Sequence, residues 1–118
     1  MQYEKAKGFP SIKGKIDLDK IFREGGKLRC GALTLFSRTH EGKNIRVCAV
    51  VPKNLGNAPQ RNKVRRIIKE EIRKKLPRGD YGLDIAIIYK GKIVSDSSPR
   101  LRKNLNELIQ RFTRQCLE

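Results

Sequence analysis

Lys53-Asn54-Leu55-Gly56-Asn57-Ala58-Pro59-Gln60-Arg61-Asn62-Lys63-Val64-Arg65-Arg66-Ile67-Ile68-Lys69-Glu70-Glu71-Ile72-Arg73-Lys74-Lys75 reads as one helix, with its approach, that has two incompatible faces. With Arg61 at zero and a step of roughly 100° per residue, Val64, Ile67, Ile68 and Ile72 fall between roughly 240° and 20°, the apolar stripe of a helix packed on a core. Arg65, Lys69, Asn62, Arg73 and Arg66 fall between roughly 40° and 140°. A strip of four cations and one amide repels itself. It points to a partner with many regularly spaced negative charges, of which phosphate backbones are the commonest.

A basic helix face can also simply be solvated. Three features favour a partner. Acidic i, i+4 neighbours that would neutralise the strip are sparse: the acids of the helix are Glu70 and Glu71, and Glu71 points into the apolar sector. Arg is frequent toward the helix start, and its planar fork suits phosphate. The helix also begins with outward N–H groups and a positive dipole end beside Arg61 and Asn62, which favours an anion.

Outward from that helix, the chain of 118 residues is expected to form one domain, 1–118. It carries 28 Lys and Arg against 12 Asp and Glu, a net charge of +16, which favours nucleic acid over small-molecule chemistry. No stretch approaches the roughly 18 apolar residues of a membrane span, so no membrane partner is expected. The segment Met1 to Pro10 has no apolar stretch of the secretory kind, and a cytoplasmic location is expected. Cys30, Cys48 and Cys116 are odd in number and widely spaced, which suits neither a disulfide framework nor a zinc site. Cys48 and Cys116 read as small core residues.

Residues 1–15 read as a flexible basic arm. Residues 16–25 read as a short helix with Asp17 as N-cap, Leu18, Ile21 and Phe22 on one face, and Gly25 at its end. Asp17 and Asp19 could suggest a metal, but capping and dipole compensation explain them. Residues 31–38 and 44–51 alternate as two antiparallel strands, joined by a turn over 39–43. In the first, Phe36 shares a polar face with Arg38. It is a candidate stacking platform for an unpaired base, or half-covered core at a sheet edge. In the second, Arg46, Cys48 and Val50 alternate with Ile45, Val47, Ala49 and Val51.

Pro59 suits the first turn of the basic helix. Leu83 to Tyr89 is a nearly continuous apolar strand, so that strand, helix and strand form a βαβ unit. Ser98 and Pro99 open a last helix whose stripe is Leu101, Leu105, Leu108, Ile109, Phe112 and Cys116. The expected architecture is α+β, in the order αββαβα, with helices on a small mixed sheet. Enzyme signatures are scarce: His40 is the lone histidine, in an expected turn, and there is no Walker loop, no G-x-G-x-x-G and no metal-ligand cluster.

Val51 to Glu70, Val-Pro-Lys-Asn-Leu-Gly-Asn-Ala-Pro-Gln-Arg-Asn-Lys-Val-Arg-Arg-Ile-Ile-Lys-Glu, resembles a segment of the bacterial ribonuclease P protein family that reads approximately S-K-K-x-G-x-A-V-x-R-N-R-x-K-R-x-x-R-E. Asp19 to Gly25 with Leu33 to Phe36 resembles that family's first helix and strand, and Gly82 to Ile88 its last strand. The likeness runs from about Lys13 to Phe112. Lys63 stands for the motif's second Arg, Arg65 for a Lys and Lys69 for an Arg; Glu71 stands where a small apolar residue is usual, and Leu18 where some relatives have an aromatic.

The resemblance implies a single-domain α/β sandwich with a left-handed βαβ crossover, similar to a ribosomal-protein domain. It implies the non-catalytic protein subunit of an RNA-based endoribonuclease that removes the 5′ leader of precursor tRNA, with no catalytic or metal-binding residue on the protein and with Mg²⁺ held by the RNA. The implied partners are one catalytic RNA per protein and the precursor tRNA. Lys53, Arg61, Asn62, Lys63, Arg65, Arg66, Lys69 and Arg73 are then expected on the catalytic RNA, and Phe22, Phe36, Arg46 and Leu18 in a cleft for the single-stranded leader. A structural RNA-binding protein of ribosomal type, and a nuclease in its own right, are the competing classes.

Overall fold

The computed structural model describes residues 15–76, 82–91, 93 and 98–117, with the side chains of 15–18 and of Leu117 outside that set. The elements are α1 (Lys15–Glu24), β1 (Gly26–Cys30), β2 (Leu33–His40), β3 (Ile45–Val50), a 3₁₀ turn (Lys53–Leu55), α2 (Ala58–Lys75), β4 (Gly82–Tyr89) and α3 (Ser98–Phe112), followed by a π-helical turn (Thr113–Leu117). The fold is α+β with a four-stranded mixed sheet in the order β1-β2-β4-β3. The element order is αβββαβα rather than αββαβα.

The added strand is β1, and it changes the sheet. Gly26-Lys27-Leu28-Arg29-Cys30 opens on glycine and has one large apolar side chain, so it shows almost none of the alternation that marks a half-buried strand. Pairing alone makes it a strand, because all five residues are in antiparallel register with β2, from Gly26 opposite Ser37 to Cys30 opposite Leu33. Gly31, at φ 58°, and Ala32 link the two strands. A glycine in the left-handed region at the first of two link residues suits the twist of a hairpin.

A second correction concerns β2 and β3, which are not paired with each other. β4 lies between them, antiparallel to β2 and parallel to β3. The physical reason is in β4 itself: every residue from Gly82 to Ile87 is buried, and only a central strand covered on both faces can bury a continuous apolar run. β2 runs on to His40, so that residue ends a strand instead of lying in a turn.

α2 is held at its start by a reciprocal capping box. Asn57 Oδ1 accepts from the Gln60 N–H and Gln60 Oε1 accepts from the Asn57 N–H, both at 2.9 Å. Pro59 lies in the first turn, and Arg73, Lys74 and Lys75 in the last turn complement the negative end of the dipole.

Val64, Ile67, Ile68 and Ile72 of α2 join Leu101, Leu105, Leu108, Ile109 and Phe112 of α3 over one face of the sheet, where Leu33, Leu35, Val47, Ile85 and Ile87 complete the main core. Glu71 is buried beside this core at 5% exposure. Lys75 Nζ meets its Oε1 at 2.9 Å and Arg102 of α3 meets its Oε2 at 3.3 Å, so the charge pins α2 to α3. Cys116 is exposed rather than core. The α-helix gives way to a wider π turn after Phe112, and the phase of the apolar stripe is lost there.

Candidate nucleic-acid interface

The other face of the sheet follows from the register. Arg29, Thr34, Ile88 and Val50 form one row across the four strands, Lys27, Phe36, Ala86 and Cys48 the next, and Arg38, Asp84 and Arg46 a third. α1 lies over this face. Its Ile21 meets Ala86, both fully buried, and Phe22, Phe36 and Cys48 pack around that pair. Gly25 lets the end of α1 approach the sheet: a Cβ there would lie 2.5 Å from the carbonyl oxygens of Ile21 and Ser37. Among the described residues α1 is the one helix on this face, and the β3 side is less fully covered. Val50, Cys48 and Ile88 are half-buried there and form an apolar floor.

Phe22 and Phe36 meet edge to face, with ring centroids 5.0 Å apart at 73°. The ammonium of Lys27 lies 5.7 Å from the Phe36 centroid. Both rings are half-buried, packed at the base of α1 with part of each surface exposed. Leu18 lies in α1, and its side chain is outside the described residues.

The third row closes the groove with charge. Asp84, 1% exposed, accepts from Arg46 Nε and Nη2, each at 2.7 Å. His40 Nδ1 accepts the Gly42 N–H at 3.0 Å, which leaves the ring proton on Nε2, 3.5 Å from Asp84 Oδ1. Arg38, in register with Asp84 on the other side, leans instead to Glu24 at 3.7 Å. Arg46 lies in this row, with its fork on a carboxylate that the sequence reading passed over.

The cationic edge of α2 forms the wall above β3. Lys63 and Arg66 are exposed, as is Lys53 in the 3₁₀ turn before the helix; Arg65, Lys69 and Arg73 are half-buried. Arg61 Nε donates to the Gly56 carbonyl at 3.2 Å, tying it to the helix approach. Asn62 Oδ1 accepts from Arg65 Nη2 and so orients that guanidinium. Glu70 and Glu71 are engaged by Arg102 and Lys75, toward α3. Burial pushes the Cys48 thiol up, and the positive charges of Lys69 and Arg65 pull it part of the way back. α2 packs on β3, the strand that carries Cys48. Cys48 is half-buried and packs against the Ile21–Ala86 cluster.

Among the described residues no three His, Cys, Asp or Glu side chains gather as metal ligands. The residues the sequence reading missed are Asp84, Ile88, Val50 and Lys27. A signal existed for the first: a lone acid inside an apolar strand needs a cation opposite it, and the neighbouring strands each hold an arginine in register with it, Arg46 on β3 and Arg38 on β2.

The Ribonuclease P family model matches residues 8–113. The ribonuclease P protein component of Mesoplasma florum is 32% identical over 104 residues, covering 86% of this chain and 93% of its own. That of Borreliella afzelii is 37% identical over 68 residues, 56% of this chain, so that the match spans 61% of the relative's length. Among solved structures, the RNase P protein of Staphylococcus aureus superposes with a TM-score of 0.74 at 22% identity over 86% of this chain and 93% of its own, a likeness of fold. The RNase P protein from Thermotoga maritima gives 0.67 at 25% identity over 86% and 96%. With the family pattern running through almost the whole domain, the chain belongs to the ribonuclease P protein family.

Proposed function

We propose that this chain is the protein subunit of ribonuclease P, binding the catalytic RNA through the basic edge of α2 and the single-stranded 5′ leader of precursor tRNA in the groove beside it. One observation carries the reading: a helix whose cations Arg65, Arg66, Lys69 and Arg73 line one edge packs on β3, the strand whose Cys48 lies with two aromatic rings on the half-buried floor. Phosphate contacts by those cations, with Lys53, Arg61, Asn62 and Arg73, position without reading sequence. Stacking on Phe22 and Phe36 tolerates any base.

The division of labour is the one that membership of the family implies. The RNA cleaves, with Mg²⁺ held by RNA phosphates; the protein holds the leader, raising affinity for precursor over mature tRNA, and screens phosphate repulsion so that less Mg²⁺ is needed. One protein per catalytic RNA and a cytoplasmic location complete the proposal.

Reconstitution tests it. Cleavage of precursor tRNA is measured at low Mg²⁺ with catalytic RNA alone, with protein alone and with both. Activity in the combination alone is expected. Cleavage by protein alone would make it a nuclease in its own right, and no stimulation of the RNA would make it a structural RNA-binding protein.

A further inference from the structure

We propose that the outer face of α3 is a second phosphate-binding surface, on which Arg100, Lys103 and Arg114 hold a double-helical segment of the catalytic RNA. This rests on the reading that the chain binds the catalytic RNA, and adds to it a helix that the reading leaves without a role.

Three neighbours take up the rest of α3. With Arg100 at zero and a step of roughly 100° per residue, Leu101, Leu105, Leu108, Ile109 and Phe112 fall between roughly 80° and 180°, and all five are buried in the core. Arg102, at roughly 200°, reaches Glu70 at 3.6 Å and Glu71 at 3.3 Å, which marks the side against α2. Glu107 accepts from the Cys30 thiol at 2.9 Å and Arg111 Nη1 donates to the Arg29 carbonyl at 2.8 Å, which marks the side against β1. Arg100 and Lys103 remain exposed with Gln110, and Arg114 is exposed in the turn that follows. From Arg100 to Arg114 the helix axis rises about 20 Å.

The acids of this layer are engaged elsewhere. Glu70 meets Arg102, Glu71 meets Lys75 and Arg102, and Glu107 meets Cys30; among the described residues no carboxylate lies within ion-pair distance of Arg100, Lys103 or Arg114. Arg100 lies in the first turn, which holds no acid and where a cation runs against the positive end of the helix dipole. Arg100 and Lys103 are like charges at i, i+3, which oppose the helix rather than support it. Charge that weakens its own helix and makes no contact within the fold suits a polyanion outside it. The face offers donors for phosphate and no ring for an unpaired base, since Phe112, the aromatic residue of α3, is buried. A duplex, by contrast, is held through its shape and backbone, which cations spread along a helix match. The catalytic RNA is the source because α3 packs on α2, in the same layer as the exposed Lys63 and Arg66, while the leader groove lies on the opposite face of the sheet.

The test measures binding of the full chain to catalytic RNA over a series of salt concentrations. Arg100→Gln, Lys103→Gln and Arg114→Gln together remove the strip. Arg23→Gln, Lys43→Gln and Lys90→Gln together remove as much charge from exposed positions outside it. The α3 variant is expected to lower the log-log salt slope by about 2 to 3, and the control variant by less than about 1. Thermal unfolding accompanies each measurement, and Lys103→Gln alone, expected to lower the slope by about 0.7 to 0.9, decides the matter should the triple variant fail to fold. The gain in affinity that a leader gives precursor tRNA on the reconstituted holoenzyme is expected to match the parent's. A short RNA duplex is expected to compete more strongly against the parent than against the α3 variant, and a single strand of equal length to compete alike against both. An unchanged slope, an equal fall in the control variant, a loss of the leader gain with the slope intact, or competition in the reverse order would overturn the proposal. Failure of the parent to bind catalytic RNA would overturn the underlying reading as well, and is distinguishable because no variant is involved.

Discussion

One face of the sheet lies under two helices, α2 and α3, and the other, among the described residues, under α1 alone. The strands supply both faces by the same alternation, so the difference arises from what covers them. On the α2–α3 side, Leu, Ile and Val from every layer interdigitate and the largest side chains are fully buried. On the α1 side a helix of 10 residues, about 15 Å long, covers the rows of β2 and β4 and stops short of β3. The apolar surface left on Cys48, Val50 and Ile88 contributes little to the fold, and a part-filled apolar face rimmed by cations is a place for a ligand. The comparison teaches that one sheet can hold a structural side and a binding side, separable by mutation.

The largest effect expected from breaking that separation is on the covered side. Leu108→Ala, at a fully buried position of α3, is expected to lower unfolding free energy by about 2–5 kcal/mol, measured by urea denaturation, while the folded fraction keeps its leader affinity. Phe36→Ala should do the reverse. The ring is half-buried, so its stability loss is the smaller, but leader binding should weaken by about 1–3 kcal/mol, read as a loss on long-leader precursor that leaderless tRNA does not share. Equal loss on both substrates would assign Phe36 to the core and erase the distinction.

Next in size is the edge of α2 that joins the two sides. Arg65→Ala with Arg66→Ala is expected to reduce the log-log salt slope of catalytic-RNA binding by up to about 0.7 to 0.9 per lost phosphate contact. An unchanged slope would remove both residues from the interface.

Much of this was legible in advance, for stated reasons. The two-faced character of α2 was readable because helical periodicity sorts side chains within a single segment: Val64, Ile67, Ile68 and Ile72 are all buried, as the stripe requires. β1 was not readable, because its strand character comes from pairing with β2 and not from its own composition. Nor was the place of β4 between β2 and β3, although its unbroken apolar run already demanded cover on both faces. The groove was partly legible. Phe22 and Phe36 could be named as aromatics near cations, but Asp84 and Arg46 lie 38 positions apart and meet only through the parallel pairing of β3 and β4. A register between distant strands is a tertiary fact, and no local pattern encodes it.

The two buried carboxylates sharpen the same contrast. Glu71 belongs to the structural side, with partners Lys75 and Arg102 reaching it from the surface. Glu71→Leu is expected to leave stability within about 1 kcal/mol of the parent, since an apolar side chain replaces a pair whose Coulombic gain is offset by desolvation. Calorimetric unfolding checks this, and a drop of several kcal/mol would mean that the link between α2 and α3 needs the charge. Catalytic-RNA binding is expected to stay unchanged.

The smallest effect expected is also the most local. Burial raises the Cys48 thiol and the cations Lys69 and Arg65 offset that only in part, so at neutral pH Cys48 is protonated and slow toward alkylating reagents. Its rate should climb with pH as the thiolate forms. Cys30 is likewise raised, by burial and by its bond to Glu107, whereas Cys116 is exposed. Mass spectrometry of a short iodoacetamide pulse should therefore find Cys116 modified first. A single-stranded leader oligonucleotide on the reconstituted holoenzyme should slow Cys48 a further few-fold and leave Cys116 as it was, because only Cys48 lies on the groove floor beside Phe22 and Phe36. Equal slowing of both would indicate general crowding by RNA, and no slowing of Cys48 would put the leader somewhere other than the β3 side of α1.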